Sequence, residues 1–301
     1  MQRFLQYVFD GLSVGAVYAL IALGLVVIYR GTGHLNFAQG EMALFATYVA
    51  WWFNDQGLHI ILATIMAMLV AFIGGALVEL CLIRPTGKKS PLAVVVVAIG
   101  LFLGLNSLAG LIWGIDPLTF ESLFPNEPTD FVKISGAAWR YERLGVLLVV
   151  LALTGVIFFL FQKTKIGLAM RAVANNGDSA RLVGIRTGRI LMMSWGLAGA
   201  IGALGGTMIA SINGNVNGGM MFTVFIYGSA AATLGGLDSP GGAVIAGLSL
   251  GVIESVVVGY SEDWFGTDLG DIRIGVAFVV ILAVLLFKPS GLFGSTRVER
   301  V

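Results

Sequence analysis

Few residues of this chain combine into chemistry of their own. His34 and His59 are the only two histidines, and they stand too far apart to suggest a shared metal. His34 reads as a helix-end residue. No serine, histidine and acid form a nucleophilic arrangement, and no HExxH pair occurs. Gly87-Lys88-Lys89-Ser90 ends like a phosphate-binding loop, but Leu82 stands where the required earlier glycine should be. Cys81 is the single cysteine, which excludes an intrachain disulfide and a cysteine metal cluster. What remains is a set of polar residues inside apolar runs: Asn36, Gln39 and Glu41 in one, Glu79 in a second and Glu254 in a third. Such groups are costly in hydrocarbon, so each needs a partner, a proton or a watery cavity. Pairing between helices and lining of a transport path are both open readings for the carboxylates.

The second chemical feature is a basic loop from Gln162 to Arg189. It carries Lys163, Lys165, Arg171, Arg181, Arg186 and Arg189 against one acid, Asp178. Asn175-Asn176-Gly177 breaks an apolar stretch. Asp178 then stands where an N-cap is wanted, ahead of Ser179–Val183, and Gly184 is suited to end the turn. A helix that short is unstable alone in water and needs something to pack on. Leu182, Val183 and Ile185 offer an apolar patch rimmed by Arg181 and Arg186. A solvated loop is the plainer reading, but the length and apolar content argue for a docking element.

The elements that must hold these residues follow from composition. Of 301 residues, 57% are hydrophobic and 12% charged, and the mean hydropathy is +0.91. Soluble domains carry about 25% charged residues, so this chain is expected to be an integral membrane protein. The net charge of +1 gives no field that would recruit nucleic acid. Candidate spans are 5–29, 35–53, 58–83, 92–113, 144–161, 190–211, 220–236, 242–259 and 272–287. The first is read as a retained span, because it ends at Tyr29-Arg30 and not at a small-residue cleavage site. Gly11/Gly15, Gly100/Gly104, Gly202/Gly206 and Gly247/Gly251 have the spacing that lets helix backbones approach closely.

Loop charge orients the spans. Arg84, Lys88 and Lys89, the 162–189 loop, and Lys288, Arg297 and Arg300 are basic. The 114–143 loop (Asp116, Glu121, Glu127, Asp130, Glu142) and the 260–271 loop (Glu262, Asp263, Asp268, Asp271) are acidic. The positive-inside rule puts the basic loops and the C-terminus in the cytoplasm. If 35–53 crosses fully there are nine spans and the N-terminus is outside; if it is re-entrant there are eight and the N-terminus is inside.

Several stretches carry a resemblance. Gly167, Arg171-Ala172, Ala180 and Gly184-Ile185 are similar to the coupling segment of ABC importer permeases. The run Gly15–Gly24 followed by Asn36-Phe37-Ala38-Gln39-Gly40-Glu41 resembles the opening of the branched-chain amino-acid (LIV-type, LivH-like) permeases. Glu79 with Arg84-Pro85, Leu234-Gly235-Gly236 with Ser239–Ala243, and Pro289–Gly294 resemble further motifs of that family, in the same order and over nearly the whole chain. The resemblance implies an all-α polytopic permease of about 8–9 spans, one transmembrane domain over 1–301, in a bacterial inner membrane. It implies a second related permease, two cytoplasmic ATPases that use the ATP, and an external solute-binding protein, with no cofactor in this chain. Arg171, Ala172, Asp178, Ala180, Arg181, Leu182, Gly184 and Ile185 would then couple to the ATPases, and Asn36, Gln39, Glu41, Tyr227 and Glu254 would face the translocation path. The family commonly has His at Gln39 and Lys at Tyr227, which points to altered substrate contacts. Rival readings are the same machine carrying urea or short amides, and a stand-alone ion-coupled carrier using Glu41 and Glu254.

Overall fold

A computed structural model describes residues 1–87, 91–270, 273–288 and 290–294. Lys88, Lys89, Asp271, Ile272, Pro289 and the tail with Arg297 and Arg300 lie outside the described residues. In chain order the helices are α1 (Gln2–Thr32), α2 (Gln39–Asp55), α3 (Ile60–Val78), a π-helical turn (Glu79–Ile83), α4 (Arg84–Gly87), α5 (Pro91–Trp113), α6 (Tyr141–Lys163), α7 (Lys165–Asn175), α8 (Gly177–Leu182), α9 (Thr187–Asn213), α10 (Met220–Gly235), α11 (Pro240–Gly259), α12 (Ser261–Phe265) and α13 (Ile274–Phe287). Among the described residues six helical stretches are long and apolar enough to cross a membrane, and α10 and Ala277–Phe287 are shorter apolar helices. The chain is an all-α, multi-pass bundle with two small strand pairs. Those strands are β1 (Leu118–Thr119) with β4 (Asn215–Val216), and β2 (Phe131–Ile134) with β3 (Ala137–Arg140).

The loops sort onto two faces of the bundle. On the acidic face, Arg3 at the start of α1 pairs with Asp263 at 2.7 Å. Gln2 donates to the Gly136 carbonyl in the β2–β3 turn at 2.7 Å. On the basic face, the Arg30 guanidinium lies 5.2 Å from the Phe161 ring at the end of α6, and Arg84 donates to the Gly188 carbonyl. So α1 runs from the acidic to the basic face. The α2 helix ends on the acidic face, where Asn54 donates to Glu121 at 2.8 Å. The 35–53 segment therefore completes a pass, and the N-terminus shares a face with the acidic loops. The helical part of that pass begins only at Gln39, because Gly33 takes a left-handed conformation (φ 74°) and stops α1.

Two sets of four helices repeat with inverted sense: α1-α2-α3-α5 and α9-α10-α11-α13. In each set the first helix packs on the third helix of the other, α1 on α11 and α9 on α3. Both first helices end at a left-handed glycine, Gly33 and Gly214. In both, an asparagine side chain then accepts from the amide two residues on. Asn36 Oδ1 accepts from Ala38 N at 3.0 Å and Asn217 Oδ1 from Gly219 N at 3.1 Å. Inverted repeats with interrupted helices are a recurrent plan for carriers.

Glycine sets the closeness of the crossed pairs. A Cβ on Gly11 would lie 2.6 Å from the Gly251 carbonyl oxygen, and one on Gly247 would lie 2.7 Å from the Ala19 backbone. Gly202 and Gly206 face Ala43 and Thr47 of α2 in the same way. Gly100 and Gly104 depart from the expectation, since both face open space. Their spacing therefore packs no helix among the described residues. Gly247→Val should lower the thermal midpoint of the purified protein in detergent, because overpacking a tight contact costs ~1–3 kcal/mol. Gly100→Val should leave it nearly unchanged. Equal shifts for the two variants would contradict this packing.

Candidate functional site

The basic loop folds into two helices. Thr164 caps α7, its Oγ1 accepting from Gly167 N at 3.1 Å. Gly167, Met170 and Val173 form the buried stripe of α7, so this helix lies amphipathically against the bundle. Gly167 is required there because a Cβ would strike the backbone of Leu160 and Phe161. Arg171 and Ala172 are half-buried beside that stripe, and Arg171 donates to Gln162 at 3.4 Å. The cap of α8 is Asn176, whose Oδ1 accepts from Ser179 N at 2.9 Å. This corrects the assignment of Asp178, which already lies inside the helix and pairs loosely with Arg181 at 3.6 Å. Asn176 has the extended backbone (φ −157°) that a cap requires, and Asp178 does not. Ala180 is buried, and Gly184 turns the chain at φ 86°.

The apolar patch is also smaller than expected. Leu182 is 89% exposed and Val183 76% exposed, but Ile185 packs against the core. Ile185 N donates to the Ala180 carbonyl at 3.0 Å, which folds that side chain inward. The exposed apolar tip is therefore Leu182 and Val183, with Arg181 beside it.

A polar chain leads from α8 into the bundle. Arg181 Nε donates to Thr187 Oγ1 at 2.9 Å, at the first residue of α9. The next carbonyl, Gly188 O, accepts from Arg84 Nη2 at 2.7 Å. Arg84 also grips buried Glu79 through two bonds of 3.1 and 2.6 Å. Residues five apart do not normally share a helix face. The π turn over Glu79–Ile83 brings this pair together, since its wider winding bonds residue i to i+5. A buried carboxylate left without its partner would cost several kcal/mol.

The five interior polar residues fall into three places. Gln39 is fully buried between α1 and α9, and its Nε2 donates to the Ala198 carbonyl at 2.9 Å. Gly24 and Gly202 leave the room it occupies. Asn36 donates to Gln39 Oε1 at 3.3 Å. Glu41 stands apart and accepts from Asn106 of α5 at 3.0 Å, while the same amide donates to Gly218 O. Glu254 and Tyr227 form the third group. Tyr18 donates to Glu254 at 2.7 Å and stacks on Tyr227 at 4.6 Å. Tyr227 donates to the Arg273 carbonyl, and Arg273 Nη1 lies 3.8 Å from Glu254. Every interior carboxylate of the set thus has a partner on another helix or across the π turn.

The comparisons decide the family. A model described as the permease component of a branched-chain amino acid transport system matches residues 7–286. The chain belongs to that permease family. The LivH protein of Salmonella typhimurium, a high-affinity branched-chain amino acid transport system permease, is 30% identical over 99% of this chain and 98% of its own. BraD of Pseudomonas aeruginosa, of the same description, is 29% identical over the same shares. MglC of Escherichia coli, a galactose/methyl galactoside import permease, is 28% identical over 61% of this chain and 54% of its own.

This permease therefore has the membrane fold and transport class that its motifs imply. Three residues of its polar groups were not singled out by motif reading: Tyr18, Asn106 and Arg273. Asn106 gave the same signal as Glu254, a polar side chain in an apolar run. Tyr18 was hidden because tyrosine is ordinary in a helix core. Arg273 was hidden beside an acidic loop. A double-mutant cycle with Glu79→Gln and Arg84→Gln, read by unfolding in mixed detergent, should give a coupling of roughly 0.5–3 kcal/mol. Strict additivity would show that the grip on Glu79 contributes nothing.

Proposed function

We propose that this chain is the transmembrane subunit of an ATP-driven importer of branched-chain or other hydrophobic amino acids. The observation that carries the coupling is the exposed tip of α8, Leu182 and Val183, joined by Arg181 to the start of α9. An exposed apolar pair on a six-residue helix calls for a groove on a partner. The partners in this reading are two ATPase subunits on the basic face, a second related permease, and a solute-binding protein on the acidic face. The basic face is cytoplasmic by the positive-inside rule, which puts the C-terminus inside and the membrane as the bacterial inner one. ATP is used by the partner subunits, and this chain holds no cofactor. Arg171, Ala172, Asp178, Ala180, Arg181, Leu182, Gly184 and Ile185 shape or present the docking segment. The amino-acid cargo is supported by the named functions of LivH and BraD.

Mechanically, closing of the ATPase pair would push α8, and the bonds through Thr187, Gly188, Arg84 and Glu79 would carry that push to α9 and α3 together. Deleting 178–183, or making Gly184→Arg where φ is 86°, should leave membrane insertion intact. Uptake of leucine by vesicles holding the complete transporter should fall by roughly tenfold or more, while the ATPases still hydrolyse ATP. Undiminished ATP-driven uptake by both variants would refute the coupling role. Uptake by this chain alone, without ATPase subunits, would refute the importer reading.

A further inference from the structure

The third helix of each half, α3 and α11, borders a cleft, and the two clefts have different linings. One lies among α2, α3, α5 and α9, has a volume of 170 Å³, and is walled by apolar groups such as Phe45, Val70 and Leu105. The other lies among α1, α6, α11 and the start of α13 and has a volume of 320 Å³. Its wall holds Asp10, Arg143, Glu254, Ser255 and Arg273. The walls correspond by position. Gly74 and Gly75 are the fifteenth and sixteenth residues of α3 from Ile60, and Glu254 and Ser255 hold those places in α11 from Pro240. Gly199 precedes the left-handed cap Gly214 by the same fifteen residues that separate Tyr18 from Gly33. Glycine thus stands in α3 and α9 at the places where α11 and α1 carry Glu254 and its donor Tyr18.

The second cleft is arranged for a molecule that carries both charges. Glu254 is 5% exposed, and its carboxylate is held by Tyr18 at 2.7 Å. Arg273 faces it at 3.8 Å, longer than a direct charge-assisted hydrogen bond of about 2.7–2.9 Å. Nearer the acidic face, Arg143 pairs with Asp10, and both side chains are about one-third exposed. Two carboxylates and two guanidinium groups therefore surround one space with no net formal charge. A bare cation or anion would meet as much repulsion as attraction there. A zwitterion would not.

We propose that this cleft is a subsite for a small zwitterion, its ammonium on Glu254 and its carboxylate toward Arg273 and Arg143. This deepens the amino-acid reading above and rests on it. The volume lies at the lower end for ligand pockets, which suits a single amino acid. An ethanolamine lipid headgroup presents similar chemistry, so the test separates the two sources.

The complete transporter, in nanodiscs of phosphatidylglycerol, is irradiated with a diazirine analogue of leucine that keeps both charges, and labelled residues are located by mass spectrometry. The label should fall on 7–14 and 251–259. Excess leucine should suppress it by about tenfold, the scale of a hydrogen bond to a charged group. Leucinamide and 4-methylpentanoate, which each lack one charge, should not. Glu254→Gln should lose the label to a similar degree. Ser255→Leu, which adds apolar bulk to the cleft wall and keeps all four charged groups, should do the same and carries the test if Glu254→Gln fails to fold. Label elsewhere with normal leucine uptake, or label that survives both variants, overturns the subsite and leaves the permease reading standing. Suppression by phosphatidylethanolamine as complete as that by leucine assigns the cleft to lipid and also overturns it. Absence of leucine uptake by the unmodified transporter overturns the amino-acid reading together with the subsite.

Discussion

A peptide group inside a bilayer has no water to bond, so an interrupted helix is tolerated only where protein satisfies the freed groups. Among the described residues this permease has two matching breaks after the first helix of each half, at 33–38 and 214–219, and protein groups bond both. Each is closed by an asparagine that bonds the backbone two residues on. Gln39 extends the first by bonding the Ala198 carbonyl, and it fits only because Gly24 and Gly202 have no side chain. The second meets Asn106, which ties the Gly218 carbonyl to Glu41. The crossed pairs α1–α11 and α3–α9 bring glycine-lined backbones together. Without driving force from the hydrophobic effect between helices in lipid, such close packing is a main source of association.

The same plan accounts for how motion at the basic face would reach the interior. On the proposed function, α8 is the element that a partner pushes, and it is bonded to α9 and, through Arg84, to α3. Those two helices are also in glycine-mediated contact: a Cβ on Gly196 would lie 2.9 Å from the Phe72 carbonyl oxygen. A push on α8 therefore finds two helices already locked to each other. The π turn at Glu79–Ile83 is the local distortion that makes the lock possible.

Much of this was legible in the residues. The nine apolar runs all became helices, because a run of that length and hydropathy has few other fates. The described parts of the charged loops lie on two faces of the bundle, acidic with acidic and basic with basic. What was not legible depended on backbone angles or on distant partners. Asn175-Asn176-Gly177-Asp178 offers several capping side chains, and only the extended backbone at Asn176 selects among them. Ile185 looked like part of an exposed patch until its amide bonded back to Ala180. The 114–143 loop was legible only by its charge, and within it lies a β2–β3 hairpin turned by Ser135 and Gly136, both at positive φ. Glu142, counted among its acids, is instead in α6, buried and bonded by Ser122 and Ser211. The inverted repeat was not visible at all, since its two halves agree in crossed packing and in the left-handed caps of α1 and α9 and hardly in residue types.

The central claim is that α8 is the surface on which an ATPase docks, and Cys81 as the sole cysteine makes it directly testable. In a Cys81→Ser background, Leu182→Cys, 89% exposed at the tip of α8, is combined with single cysteines along the ATPase surface in the complete transporter. The account predicts a disulfide cross-link between Leu182→Cys and an ATPase cysteine, with a yield that changes when ATP is added. ATP-driven uptake in which no ATPase position ever cross-links to Leu182→Cys would contradict it.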